Sequence, residues 1–279
     1  MQQRIIQGLP LSFHLSFFPE RRHLAALLKL TAQDFSGAVE EIAAKTGIPT
    51  GKKSGKVIPH LKYASAMGLI AEPSSGNGQF ALRPTALGRL MLAEDPMLHE
   101  PLTQLILHLM LSRPIGGAVS WHVLFGRTRL ALGRTMSVDT AVTWLAKELG
   151  SSTSLPGPLF STYREEASLA RTAMLVVEKN TLTRGSLPSL EEYYWGYAYC
   201  WLSYWEQTAS AAQQLSLSEL EAACGFVEVS GWNEAGFEDF LSWATEQGIV
   251  RIDRQTGTTL VMKTKCSADL VDRIYAEML

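Results

Sequence analysis

Two short stretches of this chain carry residues whose types and spacing could do chemistry. The first is Gly51-Lys52-Lys53-Ser54-Gly55-Lys56-Val57-Ile58-Pro59-His60-Leu61-Lys62. It holds four lysines, and no carboxylate stands between Glu41 and Glu72. In a chain of pI about 6.3 and net charge −2, such a run is a local electrostatic feature. Lysines neutralise phosphates, and backbone N–H groups near Ser54 and Gly55 at a helix start favour an anion. Lys52, Lys53, Ser54, Lys56, His60, Lys62 and Arg83 are therefore the candidate DNA contacts, and Arg89 could extend the patch. The other reading is a solvated basic loop. Gly51-Lys52-Lys53-Ser54 lacks the spacing of a P-loop.

The second stretch places His14, Glu20, Arg21, Arg22 and His23 among Phe13, Phe17 and Phe18. A histidine or carboxylate beside arginines could act as general base and phosphate clamp, which makes His14, Glu20 and Arg21 the candidate catalytic residues. The same cluster could instead be a network docking one domain on another. Asp95, His99 and Glu100 carry ligand-type side chains, but no metal site is assigned on their spacing. His108 and His122 stand alone on apolar stretches and read as core. Nicking of DNA would call for two or three carboxylates around Mg²⁺, or a His/Lys pair aimed at a phosphate. No recognised nuclease signature is present.

These residues need elements to position them. Ser36 is expected to cap a helix through Val39, Ile42 and Ala43, stopped by Gly47-Ile48-Pro49. Val57, Leu61, Ala64 and Met67 give the next helix its apolar face, with Pro59 tolerable in the first turn. A strand is expected at Leu69-Ile70, a turn over 73–78 and a return strand over 79–82, followed by a helix capped by Thr85. That order is a winged helix, assigned to residues 1–95. Residues 96–213 read as a central helical domain with a helix over 138–149 capped by Ser137, and a hinge loop over 151–158. Residues 191–205 hold eight tyrosines and tryptophans. They could stack bases but suit a core helix at a domain junction better.

Residues 214–279 repeat the first pattern: a helix capped by Ser216 or Ser218, a second over 232–247, and strands over 248–252 and 258–262. The second helix carries Glu234, Glu238, Asp239 and Glu246, which repel phosphate, although Arg251, Arg254, Lys263 and Lys265 make the wing basic. The expected fold is mainly α with small β-hairpin wings, an α+β class.

Composition bounds the rest. With 46% apolar and 19% charged residues over 279 positions, the chain is globular and not disordered. Cys200, Cys224 and Cys266 form no CxxC pair and read as reduced thiols. No apolar run reaches the ~18 residues of a membrane span and no signal-peptide pattern opens the chain, so a cytoplasmic protein with no membrane partner is expected.

Three stretches resemble the bacterial domain-of-unknown-function family 4007. They are Ser12-Phe13-His14-Leu15-Ser16-Phe17; Gly47-Ile48-Pro49 through Lys56-Val57 to Ala66-Met67-Gly68-Leu69-Ile70; and Phe80 to Gly88 with Asp95-Pro96-Met97-Leu98 and Leu107-His108. The family often has Glu-Thr-Phe after its histidine, where this chain has Leu15-Ser16-Phe17. The resemblance, clearest over 11–125, implies a setting. Proteins of this type accompany a cysteine desulfurase, an ATP-pyrophosphatase and an ATPase that together place sulfur in the DNA backbone as phosphorothioate, in defence against phage. In some sets the family member is proposed to nick DNA for sulfur insertion. The expectation is thus a DNA-binding component of such a system, partnered by its other proteins, with a divalent metal such as Mg²⁺ if it nicks. The alternatives are a tandem winged-helix transcriptional regulator and a non-catalytic adaptor.

Overall fold

The computed structural model describes residues 6–51, 55–76, 78–150, 156–254 and 257–278. The fold is mainly α with small sheets, as expected. It opens on β1 (Gln7–Leu9), which pairs in parallel with the later β5 (Ile115–Ala118).

One arrangement then occurs three times. In the first, α1 (Arg21–Thr31) is followed by β2 (Ser36–Gly37), α2 (Val39–Thr46), α3 (Val57–Ala66), β3 (Ser74–Gly76) and β4 (Gln79–Ala81), with strand order β2-β4-β3. After α4 (Ala86–Glu94) and α5 (Pro101–Leu111), the second consists of α6 (Val119–Leu132), β6 (Thr135–Ser137), α7 (Val138–Leu149), α8 (Pro156–Arg164), β7 (Leu175–Glu178) and β8 (Thr181–Arg184), order β6-β8-β7. The third consists of α9 (Tyr194–Thr208), β9 (Gln214–Ser216), α10 (Leu217–Cys224), the short α11 (Phe226–Ser230), α12 (Glu234–Glu246), β10 (Val250–Asp253) and β11 (Leu260–Lys263), order β9-β11-β10. In each, the last strand pairs antiparallel with both others, as Met136↔Leu182 and Val177↔Leu182 illustrate.

The sequence reading anticipated the helices and hairpins of the outer two arrangements, but neither their first strands, β2 and β9, nor the middle arrangement. Its hairpin, Leu175-Val176-Val177-Glu178 and Thr181-Leu182-Thr183-Arg184, turns on Lys179-Asn180 with Lys179 at φ 52°. The loop expected over 151–158 is also revised: residues 151–155 lie outside the described residues, but Pro156 opens α8, a first-turn position where proline is tolerated. The first hairpin also begins later than expected. Ser74 to Gly76 form the strand, whereas Ile70 makes only a single bridge to Pro84.

Several start signals act as the sequence implies. Thr85, Ser137 and Ser216 accept the N–H groups of Gly88, Thr140 and Glu219 at 2.8, 3.0 and 3.2 Å. Ser36, by contrast, lies in β2; Ala38 precedes α2, and the Glu41 carboxylate accepts the Ala38 N–H at 2.7 Å. Gly88 lets α4 approach the preceding loop, since a Cβ there would meet the Leu69 carbonyl at 1.9 Å.

The aromatic helix α9 is core. Trp195, Tyr197, Trp201, Tyr204 and Trp205 are buried; Trp195 Nε1 donates to Glu277 at 2.7 Å and Trp205 Nε1 to the Ala212 carbonyl at 3.1 Å, whereas the Tyr197 hydroxyl has no hydrogen-bond partner. Trp201 meets Phe240 of α12 edge-on at 5.6 Å. Its rings are therefore not a base-stacking surface. Among the described residues no helix is long and apolar enough to cross a membrane.

Candidate functional site

Five of the sequence-marked residues, Glu20, Arg22, His23, Lys56 and His60, converge where α1 and α3 begin. Glu20 precedes α1 in an extended conformation and makes no capping bond with its own helix, so its carboxylate is free to reach α3. There it meets the Lys56 ammonium in a short ion pair, and on its other side Arg22 at 2.8 Å. His60, one turn into α3, donates from Nδ1 to the Lys56 carbonyl at 2.7 Å and accepts the Glu20 backbone N–H at Nε2, 3.1 Å away. His23 Nδ1 lies 3.5 Å from the Glu20 carboxylate and 3.4 Å from His60 Nε2.

Electrostatics follow from burial. Burial opposes ionisation of Glu20, but the hydrogen bond from Lys56 and the charges of His23, Lys56 and Arg22 prevail and hold its pKa below the ordinary value. Burial lowers His60 to about 4, against the hydrogen bond to the Lys56 carbonyl. Burial also lowers His23, against the pull of Glu20. The resting cluster at neutral pH thus holds one carboxylate and a neutral His60 beside the cations Lys56 and Arg22.

Several expectations need correction. His60 has no exposed surface and both ring nitrogens are engaged, so it cannot contact DNA from the surface. Lys56 is committed to Glu20 and lies 5.5 Å over the Phe17 ring, so it is not a free phosphate contact. Arg21 is not grouped with the Glu20 carboxylate. Its guanidinium reaches Gln104 at 3.2 Å and the Ser168 carbonyl, docking α1 on the middle of the chain. His14 is buried against Phe13 and Trp121, with Nδ1 accepting the Ser16 N–H at 3.2 Å and Nε2 without a partner. Burial lowers its pKa. Asp95 accepts the N–H groups of His99 and Glu100 at 2.9 and 2.8 Å, fixing the entry to α5 and not gathering metal ligands.

The remaining described basic candidates, Lys62, Arg83 and Arg89, stand apart from this cluster. Lys52, Lys53 and Ser54 lie outside the described residues. Lys62 is half-buried on the outer stripe of α3 with Ile58 and Ser65, while the rest of that helix is mostly buried. Arg83 is exposed and pairs with Asp34 at 3.4 Å. Arg89 is exposed beside the Pro84 carbonyl.

The one His/Cys/Asp/Glu group among the described residues close enough to hold a metal is Glu20, His23 and His60, whose ligand atoms lie within 4.8 Å of one another. One carboxylate oxygen and two imidazole nitrogens suit a transition ion, whereas Mg²⁺ takes oxygen ligands. Lys56 and Arg22 already occupy the carboxylate, and the Glu20 N–H already uses the His60 Nε2 lone pair. As it stands, the cluster is a closed polar network holding α1 to α3.

Two solved structures share this fold along nearly the whole chain. One is a crystal structure of SspB, with TM-score 0.70, and the other a magnesium-ion-bound crystal structure of SspB, with TM-score 0.71. Each is 19% identical, and each alignment covers 98% of this chain and 88% of the other. No protein-family profile matches the chain, and no curated protein matches it. At that identity, the likeness to SspB is one of fold.

Proposed function

We propose that this chain is the DNA-engaging component of a bacterial phosphorothioation-based antiphage defence system. The observation that carries the reading is a fold shared with SspB over 98% of the chain. The resemblance to family 4007 adds the setting, and the lysine-rich segment before α3 adds the phosphate-facing charge. The first unit is read as a winged helix whose contact lies at the α3 N-terminus and the lysines that precede it in sequence, because the length of α3 is mostly buried. Lys52, Lys53 and Lys62 are the primary contacts in this reading and Arg83 a flanking one. The partners are DNA and the other proteins of the modification set.

Nicking is the second reading, favoured by the magnesium-bound form of SspB. The Glu20–His23–His60 group does not fit Mg²⁺, so no step through that ion is derived. A supercoiled-plasmid assay with Mg²⁺ or Mn²⁺ beside a gel shift separates the outcomes. Binding without nicking makes the chain a recognition subunit. Nicking that survives Glu20→Gln places catalysis away from the Glu20 cluster. Absence of binding to any duplex refutes the proposal. Selection of one short palindromic site would favour the regulator alternative instead.

A further inference from the structure

Between the second and third units lies a cavity of about 270 Å³ lined by Arg129, Gly133, Arg134, Arg184, Gly185 and Gly231. Half of its lining residues are arginines and none is a carboxylate. Three arginines converging on one small space repel one another, and the opposing charge that acts on Arg184 is Glu228, whose buried Oε2 has no hydrogen-bond partner.

The geometry of the deepest one sharpens this. Arg184 ends β8 with only 2% of its surface exposed. Its NH2 group donates to the carbonyls of Phe125 and Glu228, at 2.5 and 2.8 Å, while Nε and NH1 have no hydrogen-bond partner. A guanidinium has five N–H donors, so most of this one's capacity is buried and unused, an arrangement that ordinarily costs stability. No ion pair joins Arg129, Arg134 or Arg184 to a carboxylate among the described residues. Burial lowers the Arg184 pKa to about 10; Glu228 opposes that, and the charges of Arg129 and Arg134 add to it. The other two arginines are braced: Arg129 donates to the Trp232 carbonyl, and Arg134 to the Arg184 carbonyl at 2.8 Å and Ser186 Oγ at 3.1 Å. The glycines keep the space open and bring the walls together. A Cβ on Gly231 would meet the Gly185 carbonyl at 2.4 Å. Gly133 and Arg134 are exposed at the mouth, and Arg184 lies at the floor.

We propose that this pocket binds a tetrahedral oxyanion, a phosphate group, with Arg184 at its base and Arg129 and Arg134 at its sides. At about 270 Å³ the cavity has room for a phosphate group, and its charged lining favours an anion. The source is either free inorganic phosphate or the terminal phosphate of a nucleic acid strand. The proposal does not depend on the DNA reading of the first unit.

Isothermal titration of the full chain tests it, with inorganic phosphate in one arm and 5′-phosphorylated or unphosphorylated dinucleotide in the other, in chloride of matched ionic strength. Wild type is expected to bind phosphate, the phosphorylated dinucleotide, or both, and not the unphosphorylated one. Binding in the first arm alone assigns free phosphate, and in the second alone a strand end. Arg134→Gln, at the exposed mouth, is expected to weaken binding by at least about tenfold, as loss of a charge-assisted contact does. Its melting temperature in chloride serves as the folding control, with Arg129→Gln as the second variant. No phosphate-dependent heat in either arm with wild type, or wild-type affinity in both folded variants, overturns the proposal.

Discussion

Acid should loosen the junction of α1 and α3 through His60. This ring is fully buried, donates to the Lys56 carbonyl and accepts the Glu20 N–H, so only its neutral form fits. Its pKa falls from 6.5 to about 4 in the fold. A lowered folded pKa means that the unfolded chain takes up the proton first. The stabilisation is therefore complete above about pH 6.5, falls as pH drops through that value, and is gone by about pH 4. At about 1.4 kcal/mol per pH unit, the window corresponds to about 3 kcal/mol, of which roughly 2 is lost by pH 5. The assay is urea unfolding of wild type and His60→Gln between pH 7.5 and 4.5. His108, which burial takes to about 3 against a backbone hydrogen bond, contributes with the same sign. Only the difference between the two proteins isolates His60. The variant is expected to be less stable at neutral pH and to show a pH dependence flatter by about one proton. Parallel pH profiles would refute the idea that the fold holds this ring neutral.

Other outcomes follow from the same contacts. Glu20→Gln removes the anion that Lys56 and Arg22 share; both cations reach solvent, so the expected loss is ~2 kcal/mol at neutral pH, roughly 4 °C in melting temperature. Because the Glu20 pKa is lowered, that difference is full above the carboxylate range and shrinks as pH falls through the folded value, which thermal melts at neutral and acid pH would show. Trp201→Ala, at 1% exposure against Phe237 and Phe240, should cost ~3–5 kcal/mol in chemical unfolding, whereas a base-stacking residue would lower DNA affinity and leave stability intact. Arg83→Ala should weaken binding across DNA sequences by a similar factor, measured by competition, since its part is a phosphate contact.

Much of the scaffold was legible because local rules decided it. Thr85, Ser137 and Ser216 cap the helices they precede, and Gly47 ends α2 at φ 71°. The burial of His60 was legible as well: it sits three residues after Val57 and four before Ala64, on the apolar face that defined α3. Charge composition drew it into the basic patch instead. Lys62, five residues after Val57, falls on the outer stripe. What sequence could not supply was long-range pairing. That Lys56 would be neutralised by Glu20, 36 residues away, depends on how α1 packs on α3. That Arg129, Arg134 and Arg184 line one cavity depends on the second unit, whose hairpin is carried by short alternating strands around Lys179-Asn180. Aromatic content alone could not separate core from stacking surface on α9; the positions of α5, α10 and α12 around it did.

The central claim is that this chain engages DNA through the lysine-rich entry to α3. The most direct measurement is the salt dependence of duplex affinity for wild type and Lys52→Ala/Lys53→Ala/Lys62→Ala. Each lysine neutralising a phosphate adds about 0.9 to the slope of log K against log salt, so the variant should bind more weakly with a slope shallower by roughly 2.7. A wild-type slope near zero, or an unchanged slope in the folded variant, would contradict the account.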